Sequence, residues 1–385
     1  MDFFENHYRL YALMLRMLGL WPYSVSIYST IKRMLLSTAF LNGVLIQIVL
    51  LIKTEITLEN FTRTLSITLP ILLFFCRYVS SVLNFEVTRY LIDQIDREYT
   101  ILESSTEMQI LTKYIDESSQ IITIFAFPMM YLLMPTALDF AIPLNESRTR
   151  YISYVNLYFI DHSEYADVAV LYFSFIFLAG LCSVICTESL LNVCSHYISG
   201  LLKITSYRLR NAVTNLSICK STYMSNLIED YSDFHRVVDI HNRAIEYINL
   251  AASTHVIQYS IASIIGVISF AFSLYRLFRA IHAMNDKLEI CISIDIFVVH
   301  LLILFLNNYY GQLVINNSLD VFHESYNSTW HCIPLKAQKL LLFIMFRSSV
   351  ECAFDLSGLY VPCYTGFSAM MSTSFSYFSL MYSIQ

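Results

Sequence analysis

The chain has 385 residues, of which 56% are hydrophobic and only 14% are charged, and it carries 28 Tyr and 27 Phe. This balance excludes an ordinary soluble protein and a disordered chain, and it is typical of a membrane protein. The net charge of −6 says little about function, because most of the surface is expected to face lipid. The nine cysteines are an odd number in apolar runs or inner loops, which argues against a secreted disulfide framework.

Seven apolar runs of about 20 residues follow one another along the chain, and each is long enough to cross about 30 Å of hydrocarbon. They are Met34–Ile52, Leu65–Phe85, Ser119–Leu138, Ala166–Thr187, Leu250–Tyr275, Ile292–Gln312 and Pro362–Ile384. The sequence therefore predicts an all-α membrane protein, with seven transmembrane helices in a single domain over residues 1–385. Residues 1–33 are predicted to lie at the inner membrane surface as a helix that Trp21-Pro22 ends. No signal-peptide pattern precedes the first span, which is expected to insert as its own signal.

The distribution of Lys and Arg predicts the orientation of the spans. With the N-terminus inside, the inner segments hold about 16 basic residues and the outer segments about 7. The N-terminus is therefore predicted to be cytoplasmic and the C-terminus extracellular. Asn60 and Asn145 begin Asn-x-Ser/Thr motifs in predicted outer loops and are candidate glycosylation sites.

Two polar, helix-forming segments on the inner side predict a cytoplasmic bundle. Residues 188–248 are helical in pattern and too polar to span, so the fourth and fifth spans are expected to continue into the cytoplasm as long helices. Residues 313–358 contain the apolar run Leu340–Phe346, which is too short to cross and is predicted to be a buried cytoplasmic helix. Ser357-Gly358 and Pro362 break that segment from the final span.

The final span, residues 362–384, is uncharged and presents Ser372, Ser376 and Ser383 on one helical face, interrupted by Leu380. A serine face in a membrane seeks a partner helix or water, so it suits the lining of a pore. A ring of leucines can close such a pore by dewetting. In the alternative interpretation, the serines bond to carbonyls of their own helix and Leu380 faces lipid.

A series of residues at the end of the chain resembles the C-terminal signature of the insect odorant receptor family. The series comprises Tyr310-Gly311-Gln312-Leu313, Ser318, Tyr326, Trp330, Lys339, Arg347, Leu356-Ser357-Gly358, Pro362, Phe367 and Ser374-Phe-Ser-Tyr-Phe378. Gly19-Leu-Trp-Pro22 and Asn84 are similar to elements near the start of that family. Two departures are Phe375, where a tyrosine is common, and Tyr360-Val-Pro-Cys363, which is more polar than usual.

The resemblance implies a ligand-gated, nonselective cation channel built as a heterotetramer of odorant-selective subunits and a shared co-receptor. It places the channel in the plasma membrane of olfactory sensory neurons, with membrane lipid around it. The last helices line the pore, with Leu380 at the gate position, and the cytoplasmic bundle holds the subunits together. The loop between the fourth and fifth spans is too short for a co-receptor, which indicates a tuning subunit. The candidate subunit and anchor residues are Tyr310, Gly311, Ser318, Tyr326, Trp330, Lys339 and Arg347.

In this family the odorant pocket lies in the outer half of the subunit, among the second, third, fourth and sixth spans. Aromatic and Met side chains suit small volatile hydrophobic ligands, since they enclose apolar surface and adapt in shape. The candidates are Phe74, Phe75, Tyr78, Met130, Tyr131, Met134, Tyr172, Phe173, Ile176, Ile292, Ile296 and Val299. The alternative for each of them is ordinary core packing.

Arg77 and Asp295 are charged residues within predicted spans, a position that raises a functional hypothesis. Asp295 lies close enough to the outer end to reach water. Arg77 is deeper and is expected to meet a neighbouring carbonyl or carboxylate, in a pocket wall or in a purely structural role.

Three other classes remain as alternatives. A G-protein-coupled receptor needs its N-terminus outside, against the charge distribution. An enzyme or transporter would need a motif such as His-Glu-x-x-His, a nucleophile elbow or a phosphate loop, and none is present. No cofactor, metal or nucleic-acid partner is predicted. A gustatory receptor channel of the same superfamily is the nearest alternative.

Overall fold

The computed structural model describes residues 2–24, 26–53, 58–102, 104–131, 163–221, 231–284, 287–356, 358 and 360–383. The helices are α1 Asp2–His7, α2 Arg9–Met17, α3 Ile27–Lys53, α4 Leu58–Leu83, α5 Phe85–Ile101, α6 Ser105–Tyr131, α7 Ser163–Ser221, α8 Ser232–Arg279, α9 Lys287–Asn327, α10 Leu335–Ser348 and α11 Tyr364–Ser383. A π-helical turn, Ala280–Met284, continues α8, and a short 3-10 turn, Trp330–Cys332, follows α9. The described residues contain no strand, which confirms the predicted all-α fold.

Among the described residues, four stretches of helix are long and apolar enough to cross a membrane, namely Ile27–Lys53, Leu171–Ser217, Ser232–His282 and Ser293–Asn327. Ile67–Leu83 of α4 and Phe85–Ile101 of α5 meet the same criterion together, although they are bent by 69° at Asn84. The predicted third span falls on α6 as far as Tyr131, and its end lies outside the described residues. The predicted seventh span falls on α11 and is too rich in Ser and Tyr to meet the criterion.

Helix α7 is the centre of the molecule. It has 59 residues and is therefore roughly 90 Å long, about three times the hydrocarbon thickness of a bilayer. It packs against α4, α6, α8 and α9, and 78% of its apolar window is buried, against 24% for α3. The 48 residues of α8 are also longer than one span. The prediction that the fourth and fifth spans continue as long helices is confirmed.

Ion pairs join the helix ends that are predicted to be cytoplasmic. Arg208 of α7 binds both carboxylate oxygens of Glu107 on α6, at 2.7 and 2.9 Å. The Nη1 atom of Arg243 on α8 lies 2.8 Å from the Oε1 atom of Glu98 on α5. An arginine that binds both oxygens of a carboxylate fixes the orientation of the two side chains as well as their distance. These pairs therefore set how α5, α6, α7 and α8 meet.

The predicted N-terminal helix is two short helices, α1 and α2. Helix α2 ends at Met17, ahead of Trp21-Pro22, because Gly19 adopts the left-handed backbone conformation with φ of +73°. Phe4 and Tyr11 are buried against the body of the molecule. Phe4, Tyr8 and Tyr11 therefore face the protein core.

The prediction that Leu340–Phe346 is a buried run is wrong for three of its seven residues. Leu341 and Ile344 are buried, but Leu342, Phe343 and Phe346 are 64%, 73% and 78% exposed. The reason is geometrical: α10 is a single short helix whose one face packs on α9 and α8, so its opposite face stays open. An open apolar face of this size is typical of a surface that meets another protein.

Candidate functional site

The start of α11 is held by two amide side chains of α9. The Oδ1 atom of Asn308 accepts hydrogen bonds from the Cys363 backbone N–H, at 3.1 Å, and from the Tyr360 hydroxyl. One turn further along α9, the Oε1 atom of Gln312 accepts a bond from the Tyr364 N–H at 3.1 Å. The first N–H groups of a helix have no partner within it. Asn308 and Gln312 therefore cap α11 from a neighbouring helix.

Gly311 brings the backbone of α9 against the segment that leads into α11. A Cβ atom at this position would lie 2.1 Å from the Pro362 carbonyl oxygen, a distance that no real contact reaches. Gly366, in the first turn of α11, is similarly close to the ring of Tyr360. The absence of side chains at these two glycines lets the helix start lie directly on α9.

The inner face of α11 packs against α8 and α9. Ser374 is fully buried, and its hydroxyl donates to the Val267 carbonyl of α8 at 3.2 Å and to Met370 at 2.9 Å. Met370 packs with Phe270 of α8 and Leu304 of α9. Further along, the ring of Phe278 contacts Phe378 and Tyr382, with ring centres 5.9 and 5.2 Å apart.

The outer face of α11 carries all four predicted pore residues. Ser372, Ser376, Leu380 and Ser383 are exposed in the single chain, and Leu380 is 57% exposed. The Ser376 hydroxyl donates to the Ser372 carbonyl at 3.0 Å, and that of Ser383 to the Leu380 carbonyl at 2.8 Å. These bonds to the helix's own backbone suit both a pore and a lipid surface, so the pore assignment stays a prediction.

Arg77 forms a buried ion pair with Glu188 on α7, a partner that the sequence pattern does not reveal. The two side chains are only 2% and 1% exposed. The guanidinium of Arg77 also donates to the Thr187 hydroxyl at 2.8 Å, and the Asn307 amide of α9 donates to Glu188 at 3.4 Å. The Tyr259 hydroxyl of α8 donates to the Thr187 carbonyl at 3.1 Å. The pair therefore joins four helices.

Several predicted pocket residues on α4 and α7 lie together in the core. Phe74 stacks edge-on against Phe177, with ring centres 5.8 Å apart, and Ile176 packs against Gly43 of α3. Phe173, Tyr78 and Val299 are buried as well, while Phe75, Tyr172 and Ile296 are partly buried.

Two of the predicted pocket tyrosines have partners in the chain. The Tyr78 hydroxyl donates to the Leu18 carbonyl at 2.9 Å and that of Tyr172 to the Ala39 carbonyl at 3.0 Å. Met134 and the side chains of Met130, Tyr131 and Ile292 lie outside the described part of the chain. The role of this group in odorant binding stays a prediction.

The predicted anchor residues divide into two sets. Tyr310, Gly311 and Ser318 are buried within the chain, where the Ser318 hydroxyl accepts a bond from the Cys352 N–H at 2.9 Å. Tyr326, Trp330, Lys339 and Arg347 are exposed. Only the second set is placed to contact another subunit.

The two candidate glycosylation sites differ in position. Asn60 lies in the first turn of α4 and not in a loop, and Asn145 lies outside the described residues.

Comparison with known proteins identifies the family. The family model described as 7tm Odorant receptor matches residues 57–375. The fold is similar to the insect olfactory receptor OR5 from Machilis hrabei in complex with eugenol, with a TM-score of 0.78, 13% identity and coverage of 100% of this chain and 99% of that one. A second OR5 structure gives a TM-score of 0.76 at the same identity and coverage. No curated protein matches the chain significantly. The match over most of its length shows that this multi-pass membrane protein belongs to the 7tm odorant receptor family.

Proposed function

We propose that this chain is the odorant-selective subunit of a ligand-gated, nonselective cation channel, which it forms as a heterotetramer with a shared co-receptor. The observation that carries the proposal is the arrangement of α11. Its inner face is held by α8 and α9, whereas its outer face presents Ser372, Ser376, Leu380 and Ser383 together. Such a face is suited to meet the same helix from other subunits around water.

The ligand of the channel is a small volatile molecule. The olfactory receptor OR5 from Machilis hrabei, whose fold is similar, has a structure in complex with eugenol. The candidate pocket is the predicted group of aromatic, Met and aliphatic residues on the second, third, fourth and sixth spans. Apolar side chains of this kind bind many classes of volatile molecule. The pocket is therefore expected to select its ligands by size and shape more than by one functional group.

Gating follows from a difference in affinity. A ligand that packs better against the open arrangement of the helices than against the closed one shifts the equilibrium by that difference. The ring of Leu380 side chains closes the pore by excluding water, and it opens when α11 moves outward. The protein acts in the plasma membrane of olfactory sensory neurons, with its N-terminus in the cytoplasm and its C-terminus outside.

The direct test is to record ligand-evoked current from cells that make this chain with and without an insect co-receptor, across a panel of volatiles that includes eugenol. We expect cation current with no preference between Na⁺ and K⁺, and only when both subunits are present. A response that needs a G protein, or no response to any volatile in verified surface-expressed complexes, would contradict the proposal.

The gate is tested separately with Leu380→Ala. Removing the leucine side chain widens and wets the constriction, so resting current should rise in cells that also make the co-receptor. Leu45→Ala is the matched control, because Leu45 is a similarly exposed leucine on α3. Unchanged resting and evoked currents in Leu380→Ala would count against Leu380 as the gate.

The predicted orientation is tested at Asn145. Asn145 should be glycosylated, and a tag inserted in the loop that contains it should be accessible from outside the cell. A cytoplasmic location would contradict the channel topology and would favour the orientation of a G-protein-coupled receptor.

A further inference from the structure

A small cavity lies between α7, α8, α9 and the segment that leads into α11, at the level of the inner ends of the predicted fourth, fifth and sixth spans. Its volume is about 30 Å³. The wall is mostly apolar and includes Ala252, His255, Tyr259, Asn307, Tyr360 and Pro362. His255 and Asn307 bring strong hydrogen-bonding groups to it.

These polar groups lack protein partners. Both ring nitrogens of His255 and the Oδ1 atom of Asn307 are buried and make no hydrogen bond of good geometry to another protein atom. The amide of Gln258 lies close to the His255 ring, and its own oxygen is also without a partner. His255 as a whole is only 6% exposed. Buried groups of this kind are costly to leave unpaired, and native structures pair nearly all of them.

The size and chemistry of the cavity restrict what can bind there. A water molecule needs about 10–15 Å³ of such space and two to four polar partners, so 30 Å³ accommodates about two waters. A volatile ligand is far too large, since pockets for small organic molecules begin at about 300 Å³. A metal ion is not favoured, because the described residues contain no group of three His, Cys, Asp or Glu side chains arranged to hold one.

We propose that this cavity is a buried hydration site that binds one or two water molecules through the His255 ring and the Asn307 amide. The amide of Asn307 also donates to Glu188, at 3.4 Å, so the site adjoins the Arg77–Glu188 pair. Tyr360 and Pro362 close the opposite side, directly before α11. The waters thus fill the space behind the start of α11 and complete the bonding of groups that the protein leaves unpaired. This inference does not depend on the proposed channel function.

Pulsed X-ray radiolysis of the purified full-length protein tests the site. The pulse splits bound water into hydroxyl radicals, which modify the side chains that the water touches, and mass spectrometry measures the modification rate of each residue. Tyr259 lines the cavity, whereas Tyr247 is comparably buried on the same helix, does not line it and donates its hydroxyl to the Leu91 carbonyl at 3.2 Å. We expect several-fold faster modification of Tyr259 than of Tyr247. Equal rates for the two tyrosines would overturn the proposal.

A cavity-filling variant locates the water. Ala252→Leu places apolar bulk in the cavity wall and should reduce the modification of Tyr259 to the rate of Tyr247. Unchanged modification of Tyr259 in a folded Ala252→Leu protein would show that the radicals come from elsewhere and would overturn the assignment. If that variant does not fold, the comparison within the unaltered protein still decides the question.

Discussion

The start of α11 and its distal half are held by different kinds of contact. The start is fixed by directional hydrogen bonds from Asn308 and Gln312 and by the close approach at Gly311. Beyond Ser374, the described contacts to other helices are ring contacts of Phe278 with Phe378 and Tyr382. Ring contacts tolerate small sliding, whereas capping bonds and backbone contacts do not. The difference indicates that α11 is anchored at its start and can shift near Leu380, where the proposed gate has to move.

The largest effect is expected behind the anchored start, at the buried ion pair. Arg77→Met leaves Glu188 as an unpaired buried charge, which costs about 3–5 kcal/mol of stability. The melting temperature of the detergent-purified Arg77→Met protein should be much lower than that of the original. The double variant Arg77→Met, Glu188→Met should recover much of it, because no uncompensated charge then remains. A single variant as stable as the original would show that the pair does not hold the four helices.

Gly311→Ala tests the close approach itself. The added Cβ meets a backbone oxygen that cannot turn aside, so overpacking should cost about 3 kcal/mol and displace the start of α11. Lower melting temperature and reduced evoked current are the expected results. Gly266→Ala is the control, since its Cβ would meet only the flexible end of Leu304 at 3.4 Å. Equal effects of the two alanines would contradict the anchored start.

Asn308→Leu removes the cap and keeps the side-chain volume. It leaves the Cys363 N–H and the Tyr360 hydroxyl without their acceptor, at a cost of about 2 kcal/mol. Asn327→Leu, the same substitution at the exposed end of the same helix, should change stability little. If Asn308→Leu unfolds at the same temperature as Asn327→Leu, the cap does not stabilise α11.

The smallest expected effect is a loss of stability at low pH. It arises in the predicted cytoplasmic bundle and not in α11, which carries no His, Asp or Glu. Burial, with a further contribution from Arg347, lowers the pKa of His241 to about 4. The unfolded chain therefore takes up the proton first as pH falls below about 6.5, and the stability contributed by the neutral ring is lost towards pH 4. Between pH 7 and about 5.5 the loss should be about 1 kcal/mol.

The measurement is the melting temperature at these two pH values for the protein and for His241→Gln. The variant should lose part of the acid sensitivity. An identical pH dependence in both proteins would mean that His241 is not a neutral buried group.

Much of the architecture could be predicted because hydrophobic length and charge distribution are local properties of the chain. The all-α class, the long helices α7 and α8 and the break before the last helix were predictable in this way. The exposed face of α10 was not, since composition shows that Leu342 and Phe343 are apolar but not which neighbour covers them. In a single chain that neighbour is not present.

The contacts that hold the candidate site were less predictable, because they join residues distant in sequence. Arg77 could be recognised as a charge in an apolar span, yet its partner Glu188 lies on another helix 111 positions away. Asn308 carries no periodic signal that marks it as a cap. The unusual polarity of Tyr360-Val-Pro-Cys363 was visible, and its physical reason is the bonding of Tyr360 and Cys363 to Asn308.

The central claim, that the outer face of α11 lines a shared aqueous pore, is tested most directly by thiol accessibility during odorant-evoked current. Ser376→Cys is exposed on that face and Ser374→Cys is buried against α8, and the unmutated chain with its native cysteines is the reference. A charged thiol reagent applied to open channels should block current through Ser376→Cys and leave Ser374→Cys at the reference level. Full current through Ser376→Cys after the reagent has reacted there would contradict the account.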